Sequence, residues 1–218
     1  MGTLSPQNYS VILSHREAAL PKSFPLIRDC VIQVATATII RMDTDALIAQ
    51  GYVARKEHRP EDAKQHFSEA IVLSQNTNDR SGLARALAGL GQIERDLHDL
   101  PGARRHYEES VAVYRTLDNP LALAHAVRHL ADILREQAER TLAEPCYAEA
   151  SQIYRQHEQT QALDLANTLR GYALLRADNQ QKQGALELWR EARSLYAQCH
   201  VEAGVVESER QITLLAQP

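Results

Sequence analysis

The feature that most constrains this chain of 218 residues is a pattern that recurs every forty residues. An alanine recurs at positions 63, 103 and 143. An aromatic residue follows each alanine by four positions, at Phe67, Tyr107 and Tyr147. A fixed period of this length indicates a stack of small units that each contact only their neighbours. Because apolar residues follow a helical period and no segment alternates with the period of a strand, we predict an all-α solenoid.

Turn-forming residues separate the repeats and split each of them into two helices. Four repeats are clear, at 43–77, 81–117, 121–157 and 162–202. Residues 5–41 fit the same register less well and are predicted to form a degenerate first repeat, and a helix over 203–215 is predicted to cap the stack. Residues 1–218 would then form a single superhelical domain of about five helix-turn-helix repeats, with eleven helices.

The register changes in the last repeat. Gly171 lies forty residues after Ala131 and is assigned to the same column of small residues, whereas Ala185 and Trp189 lie 42 residues after their counterparts. We therefore predict that the internal turn of this repeat, Ala177–Gly184, is two residues longer than the other internal turns.

The pattern Leu87-x-x-Leu90-Gly91, followed by Ala103 and Tyr107, resembles the tetratricopeptide repeat, and in particular its forty-residue variety. The resemblance implies that the first helix of each repeat lines a concave groove. It also implies a non-enzymatic interaction module, an adaptor or scaffold that binds a peptide or protein. A peptide-sensing or ligand-sensing regulatory domain that acts on another chain is the alternative, and binding of a folded domain to the convex face also stays open.

The positions that the resemblance places in the groove carry a net positive charge, although the whole chain has a net charge of −4. This separation of charge favours an acidic peptide or protein segment as the partner. The predicted groove residues are Arg55, Arg95, Arg135, Tyr52, Lys56, Arg85, Arg128, Tyr172 and Arg176.

Three of these residues, Arg55, Arg95 and Arg135, occupy the same position in successive repeats. The competing interpretation is that they are ordinary solvated side chains. In that case Arg95 would pair with Asp99, and Arg135 with Glu139, four residues further along the same helix.

The composition argues against several classes of function. A pI near 6.1 differs from the basic balance typical of nucleic-acid-binding domains, so we predict no nucleic-acid partner. No apolar run approaches the roughly 18–20 residues of a membrane span, and no signal-peptide pattern opens the chain, so we predict no membrane association. The three cysteines, at positions 30, 146 and 199, are interpreted as free thiols, which predicts a cytoplasmic location.

The sequence offers little for catalysis or metal binding. His125 and His129 are four residues apart on one predicted helix and could face one metal ion, but no third ligand is evident. No carboxylate pairs with a histidine or serine in a catalytic arrangement. We therefore predict no enzymatic activity and no catalytic, metal-binding or cofactor-binding residue.

The predicted helix over 23–41 carries more apolar residues than one buried face requires. Either helix 6–20 and the second repeat bury all of them, or this end of the chain forms a homodimer.

Overall fold

The computed structural model describes residues 43–217. The predicted first repeat, and the homodimer predicted through it, lie outside these residues. Within 43–217 the chain forms nine α-helices and no strand, which confirms the prediction of an all-α solenoid.

The first helix, α1, is described over 43–56. The following helices are α2 Pro60–Asn76, α3 Arg80–Asp96, α4 Leu100–Tyr114, α5 Pro120–Glu136, α6 Arg140–Gln156, α7 Ala162–Asp178, α8 Lys182–Gln198 and α9 Glu202–Ala216. The pairs α1–α2, α3–α4, α5–α6 and α7–α8 form successive hairpins, and α9 packs against α8. None of the helices described in 43–217 is both long and apolar enough to cross a membrane.

Local sequence signals set the ends of these helices. Asp79, Asp99 and Asn119 each accept a hydrogen bond from the backbone N–H three residues later, which caps α3, α4 and α5. Six helices are followed, two residues after their last residue, by a residue with φ between 55° and 63°, the left-handed conformation that ends many helices. These residues are His58, Asn78, His98, Ala138, Gln180 and His200.

A buried aromatic residue on the second helix of each hairpin holds the stack together. Phe67, Tyr107, Tyr147 and Trp189 are at most 1% exposed. Each ring needs a small residue opposite it on the first helix: a Cβ atom added to Gly91 would lie 2.8 Å from the ring of Tyr107. The aromatic column therefore requires glycine or alanine at the facing positions.

The prediction that the internal turn of the last hairpin is two residues longer than the others is wrong. The turn between α7 and α8 spans 179–181, three residues, as do the turns at 97–99 and 137–139. The two additional residues lie earlier, because α6 has 17 residues where α4 has 15. As a result, α7 begins 42 residues after α5, whereas α5 begins forty residues after α3.

The same shift moves Gly171 out of its predicted column. Ala173 packs with Ala185 and Trp189, so it takes the place that Gly91 has beside Tyr107. Gly171 lies instead against Tyr147 of the preceding hairpin, where an added Cβ would be 2.7 Å from the ring. The sequence comparison matched a glycine to a glycine, although an alanine fills the packing position here.

We expect Tyr107→Ala to lower the free energy of unfolding by about 3–5 kcal/mol, because it empties the space of a fully buried ring. The amides of α3 and α6 should exchange faster as well, since each repeat is stabilised by its neighbours. Urea denaturation and hydrogen exchange measure the two effects. Tyr107→Phe keeps the ring and should stay close to the parent; an unchanged midpoint in Tyr107→Ala would contradict the packing described above.

We expect Ala138→Gly to raise the free energy of unfolding by about 0.5–1 kcal/mol, because glycine adopts a positive φ without the steric cost that alanine has there. Ala148 is exposed within α6, and Ala148→Gly should lower the free energy of unfolding by about the same amount. Thermal melts of the two variants should therefore shift in opposite directions, and a decrease in both would be inconsistent with the left-handed conformation at Ala138.

Candidate functional site

The predicted groove residues lie on the first helices of the hairpins, α1, α3, α5 and α7, and we call the surface that their side chains form the inner face. Every two successive first helices are joined across this face by an arginine–carboxylate ion pair. These pairs are Arg55–Asp96, Arg85–Asp45, Arg95–Glu136 and Arg135–Asp178, and Arg170–Glu207 joins α7 to α9.

Three of these pairs repeat the same geometry, and we call them the inner ladder: Arg55–Asp96, Arg95–Glu136 and Arg135–Asp178. Each arginine reaches from its own helix to an acidic residue near the end of the next first helix. The structure therefore aligns the three predicted arginines in one row across α1, α3 and α5.

The pairing along a single helix that the sequence suggested is wrong. Arg95 contacts Glu136 and Asp132 of α5, and Asp99 accepts a hydrogen bond from the backbone N–H of Gly102 instead. Arg135 contacts Asp178 of α7. The true partners lie about one repeat away in sequence, so a search limited to one helix does not find them.

The three arginines of the inner ladder differ in how far their hydrogen-bonding capacity is used. Arg55 donates from Nε and Nη2 to Asp96, at 2.6 and 3.3 Å. Arg95 donates to both Glu136 and Asp132. Arg135 has one long contact with a carboxylate, 3.5 Å from Nη1 to Asp178, and it also lies close enough to the Tyr147 hydroxyl to lower its pKa. Its buried Nε has no acceptor among residues 43–217.

Asp132 is the centre of a second polar group on α5. Its carboxylate accepts from Tyr147 Oη at 2.6 Å, from Arg128 Nη1 at 3.3 Å and from Arg95 Nη1 at 3.4 Å. Burial raises the pKa of the Tyr147 hydroxyl, and the charge of Asp132 raises it further. Tyr147 therefore stays a neutral donor, and Asp132 links α3, α5 and α6.

His129 lies beneath this group and is buried. Its Nε2 is 2.7 Å from Arg128 Nη2, and arginine can only donate, so Nε2 accepts and Nδ1 carries the proton of the neutral ring. Burial lowers the pKa of His129 well below its usual value, and the charge of Arg128 acts in the same direction. The ring stacks on Tyr107, with the centroids 5.4 Å apart.

The contacts of His129 affect the metal site considered for His125 and His129 in the sequence. His125 contacts His129 edge-on, with ring centroids 4.7 Å apart, but Arg128 occupies Nε2 of His129. Across the part of the chain that the structure describes, no three histidine, cysteine or acidic side chains are grouped as metal ligands would be.

The aromatic residues predicted for the groove pack against the rings of the second helices. Tyr52 contacts Phe67 edge-on at 5.1 Å, and Tyr172 stacks on Tyr147 at 5.7 Å. The guanidinium of Arg176 lies 4.9 Å from the ring centre of Tyr172 and pairs with Glu144 of α6. Lys56, the remaining predicted cation of α1, is exposed.

The shift in α7 changes which of its residues match the predicted inner positions. Counted from Ala173, the positions assigned to Tyr172 and Arg176 are held by Leu174 and Asp178. Tyr172 and Arg176 instead join α7 to α6.

A second set of ion pairs joins the second helices. Arg115, at the end of α4, pairs with Glu149 of α6, and Arg155 of α6 pairs with Glu191 of α8. We call these pairs the outer ladder. The ion pairs of both ladders were not predicted from the sequence, although the forty-residue spacing of Arg115 and Arg155 is visible there.

Comparisons with known proteins agree with this geometry. Residues 44–116 match the sequence profile of the tetratricopeptide repeat. No curated protein sequence matches the chain.

Several solved structures share the fold at low sequence identity. The chain is similar to the apo form of RapI, with a TM-score of 0.73 and 12% identity over 95% of this chain and 77% of that one. It is also similar to a putative kinesin light chain of P. anserina with nearly identical TPR-like repeats, with a TM-score of 0.64 and 12% identity over 78% and 84% of the two chains. A third similar structure is BtubC (BKLC) from P. vanneervenii, with a TM-score of 0.59 and 16% identity over 94% of each chain.

At sequence identities this low, the structural matches show a shared fold and no more. They agree with the match to the family profile and with the packing of α1–α9. The chain therefore has the fold of a tetratricopeptide-like helical-repeat solenoid, and the family's sequence profile matches residues 44–116 of it.

Proposed function

We propose that the chain is a protein–protein interaction module that binds an acidic peptide or protein segment along its inner face. The fold favours an interaction role in general, because stacked helical hairpins form extended binding surfaces. The acidic character of the partner is inferred from the side chains of α5.

The observation that carries this proposal is that Arg135 is partly exposed while its one contact with a carboxylate is long. Arg135 contacts one carboxylate, that of Asp178, at 3.5 Å, while 22% of its side chain is exposed. Within residues 43–217, Nε of Arg128 also lacks an acceptor, although it is buried. A ligand cannot reach the buried Nε atoms, but a carboxylate at the exposed part of Arg135 would form charge-assisted hydrogen bonds with its guanidinium group.

The inner ladder also limits what an acidic partner can gain. At Arg55 and Arg95 a partner carboxylate has to compete with Asp96 and Glu136, which already neutralise these arginines. At Arg135 the internal contact is long, so there is less to displace. We therefore place the strongest part of the binding surface at the Arg135 end of the row.

The proposal includes a non-enzymatic adaptor or scaffold role in the cytoplasm. Cys146 and Cys199 are free thiols, which is usual for proteins of a reducing compartment. The groups with displaced pKa values near α5, His129 and Tyr147, are engaged in packing and in internal hydrogen bonds, which favours binding over catalysis at this site.

The test is the binding of a labelled peptide of ten glutamates, followed by fluorescence anisotropy at low and at physiological salt. Arg135→Gln should weaken binding at least tenfold, because a hydrogen bond to a charged group contributes roughly 1.5–3 kcal/mol. Affinity for the parent should fall as salt rises, since exposed charges are screened.

Arg115→Gln is the matched control, because it removes the same charge from an inter-repeat ion pair of the outer ladder. It should leave binding unchanged. Arg115→Gln should alter the free energy of unfolding by no more than about 1 kcal/mol, as expected for an exposed ion pair, and a melt of each variant checks that it is folded before binding is measured. If the parent does not bind the peptide, or if the two variants bind it equally well, the proposal is wrong.

A further inference from the structure

We propose that His129 is an acid-sensitive element of the stack, so that the contact between the α3–α4 and α5–α6 hairpins weakens in mildly acidic solution. The two hairpins meet through α4 and α5, and the ring of His129 lies in that contact. A change in the protonation of this one ring would therefore affect both hairpins. The proposal concerns the stack itself and does not depend on which partner the inner face binds.

The ring of His129 belongs to the interior of the stack. It is 7% exposed and stacks on Tyr107 of α4, with an angle of 27° between the two ring planes. Tyr107 is the ring that packs against Gly91 in the α3–α4 hairpin. Any movement of His129 away from its position therefore removes a packing partner from the aromatic column.

The hydrogen bonds of His129 are those of a neutral ring. Nε2 accepts from Nη2 of Arg128 at 2.7 Å, and the buried Nδ1 has no hydrogen-bond partner among residues 43–217. A protonated imidazole carries a hydrogen on both nitrogens and can only donate. Protonation would therefore place two donors and two positive charges against each other, and His129 and Arg128 would have to separate.

The surrounding cations oppose a positive charge on this ring. Burial lowers the pKa of His129 most, and four neighbouring groups act in the same direction: Arg128 and His125 on α5, Arg95 on α3 and Arg55 on α1. The ring of His125 is in direct contact, with its centroid 4.7 Å from that of His129. Protonation is thus disfavoured by groups on three helices.

One acidic group near the ring acts in the opposite direction. Asp132 has a carboxylate oxygen 3.8 Å from Nδ1 of His129, which is too long for a hydrogen bond. Its charge is already shared by Arg128 and Arg95, and it also accepts from the Tyr147 hydroxyl. The hydroxyl of Tyr107 is neutral, because burial raises its pKa. Asp132 therefore does not offset the burial of the ring and the surrounding positive charge.

The lowered pKa of His129 fixes the direction of the pH effect. In the unfolded chain a histidine takes up a proton near pH 6.5, whereas His129 in the folded chain stays neutral well below that pH. Between these two values the unfolded state binds one more proton than the folded state. Each further pH unit of acidification then favours unfolding by up to tenfold, so a stability that is complete above about pH 6.5 is lost as the pH falls.

The test compares the parent with His129→Gln by urea denaturation at pH 7.5 and pH 5. Glutamine stays neutral, and its amide oxygen can accept from Arg128 as Nε2 does. The ratio of the unfolding constant of the parent to that of the variant should rise about thirtyfold between the two pH values, because only the parent binds the additional proton on unfolding. The loss of stacking on Tyr107 affects the variant at both pH values and cancels in this comparison.

His98→Gln is the matched control. His98 is exposed in the turn after α3 and has a φ of 63°, and the corresponding turn after α7 holds Gln180 with a φ of 61°. The backbone therefore accepts glutamine at this position. The ratio of the unfolding constants of the parent and His98→Gln should change less than threefold with pH. A change in the His129→Gln ratio no larger than that of the control would overturn the proposal.

Two measurements on the parent need no substitution at position 129. The NMR signals of the His129 ring should keep the chemical shifts of neutral imidazole from pH 7.5 to pH 5, and a ring that titrates near pH 6.5 in the folded protein would overturn the proposal. Hydrogen-exchange protection, corrected for the intrinsic pH dependence of exchange, should fall further in α5 than in α8, because each repeat opens together with its neighbours. An equal loss in both helices would also overturn it.

Discussion

The structure depends on one contact that recurs along the chain, the insertion of an aromatic ring of the second helix against a small residue of the first helix. The ring of Tyr107 fits only because Gly91 has no side chain, and Trp189 fits beside Ala173. Burial of such a ring is worth several kcal/mol, whereas an exposed ion pair contributes about 0–1 kcal/mol. The aromatic column thus fixes how closely the two helices of a hairpin pack, and the contact of Tyr147 with Gly171 packs one of these rings against the next hairpin.

If the inner face binds an acidic segment as proposed, the ladder would have two opposite effects on that binding. Asp96 and Glu136 hold Arg55 and Arg95 in line, which prepares the row for a partner with matching charges. The same carboxylates compete with that partner. Such a surface would bind a single negative charge more weakly, but it would distinguish better between partners whose charges are arranged differently.

The sequence predicted the helices and the aromatic column well, because a forty-residue period and buried rings leave a clear pattern. The prediction from sequence was wrong where two small residues could fill the same packing position. Gly171 was matched to Gly91, although Ala173 packs against the aromatic ring of the last hairpin. It also could not identify the inner ladder, because the partners of Arg55 and Arg95 lie 41 residues away. Only the alignment of successive helices in space brings those side chains together.

The polar group on α5 makes the inner face asymmetric along its length. The position of Asp132 is held by Tyr52 in α1, Gln92 in α3 and Leu174 in α7, so among the described first helices only α5 places a carboxylate there. Asp132 engages both Arg95 and Arg128, whereas Arg135, one turn further along, keeps donors without acceptors. An acidic segment bound as proposed would therefore meet arginines with close carboxylate partners at one end of the row and Arg135, with its long contact, at the other. Because the two ends of the arginine row differ, we expect a segment whose acidic residues are concentrated at one terminus to bind in only one direction along the stack.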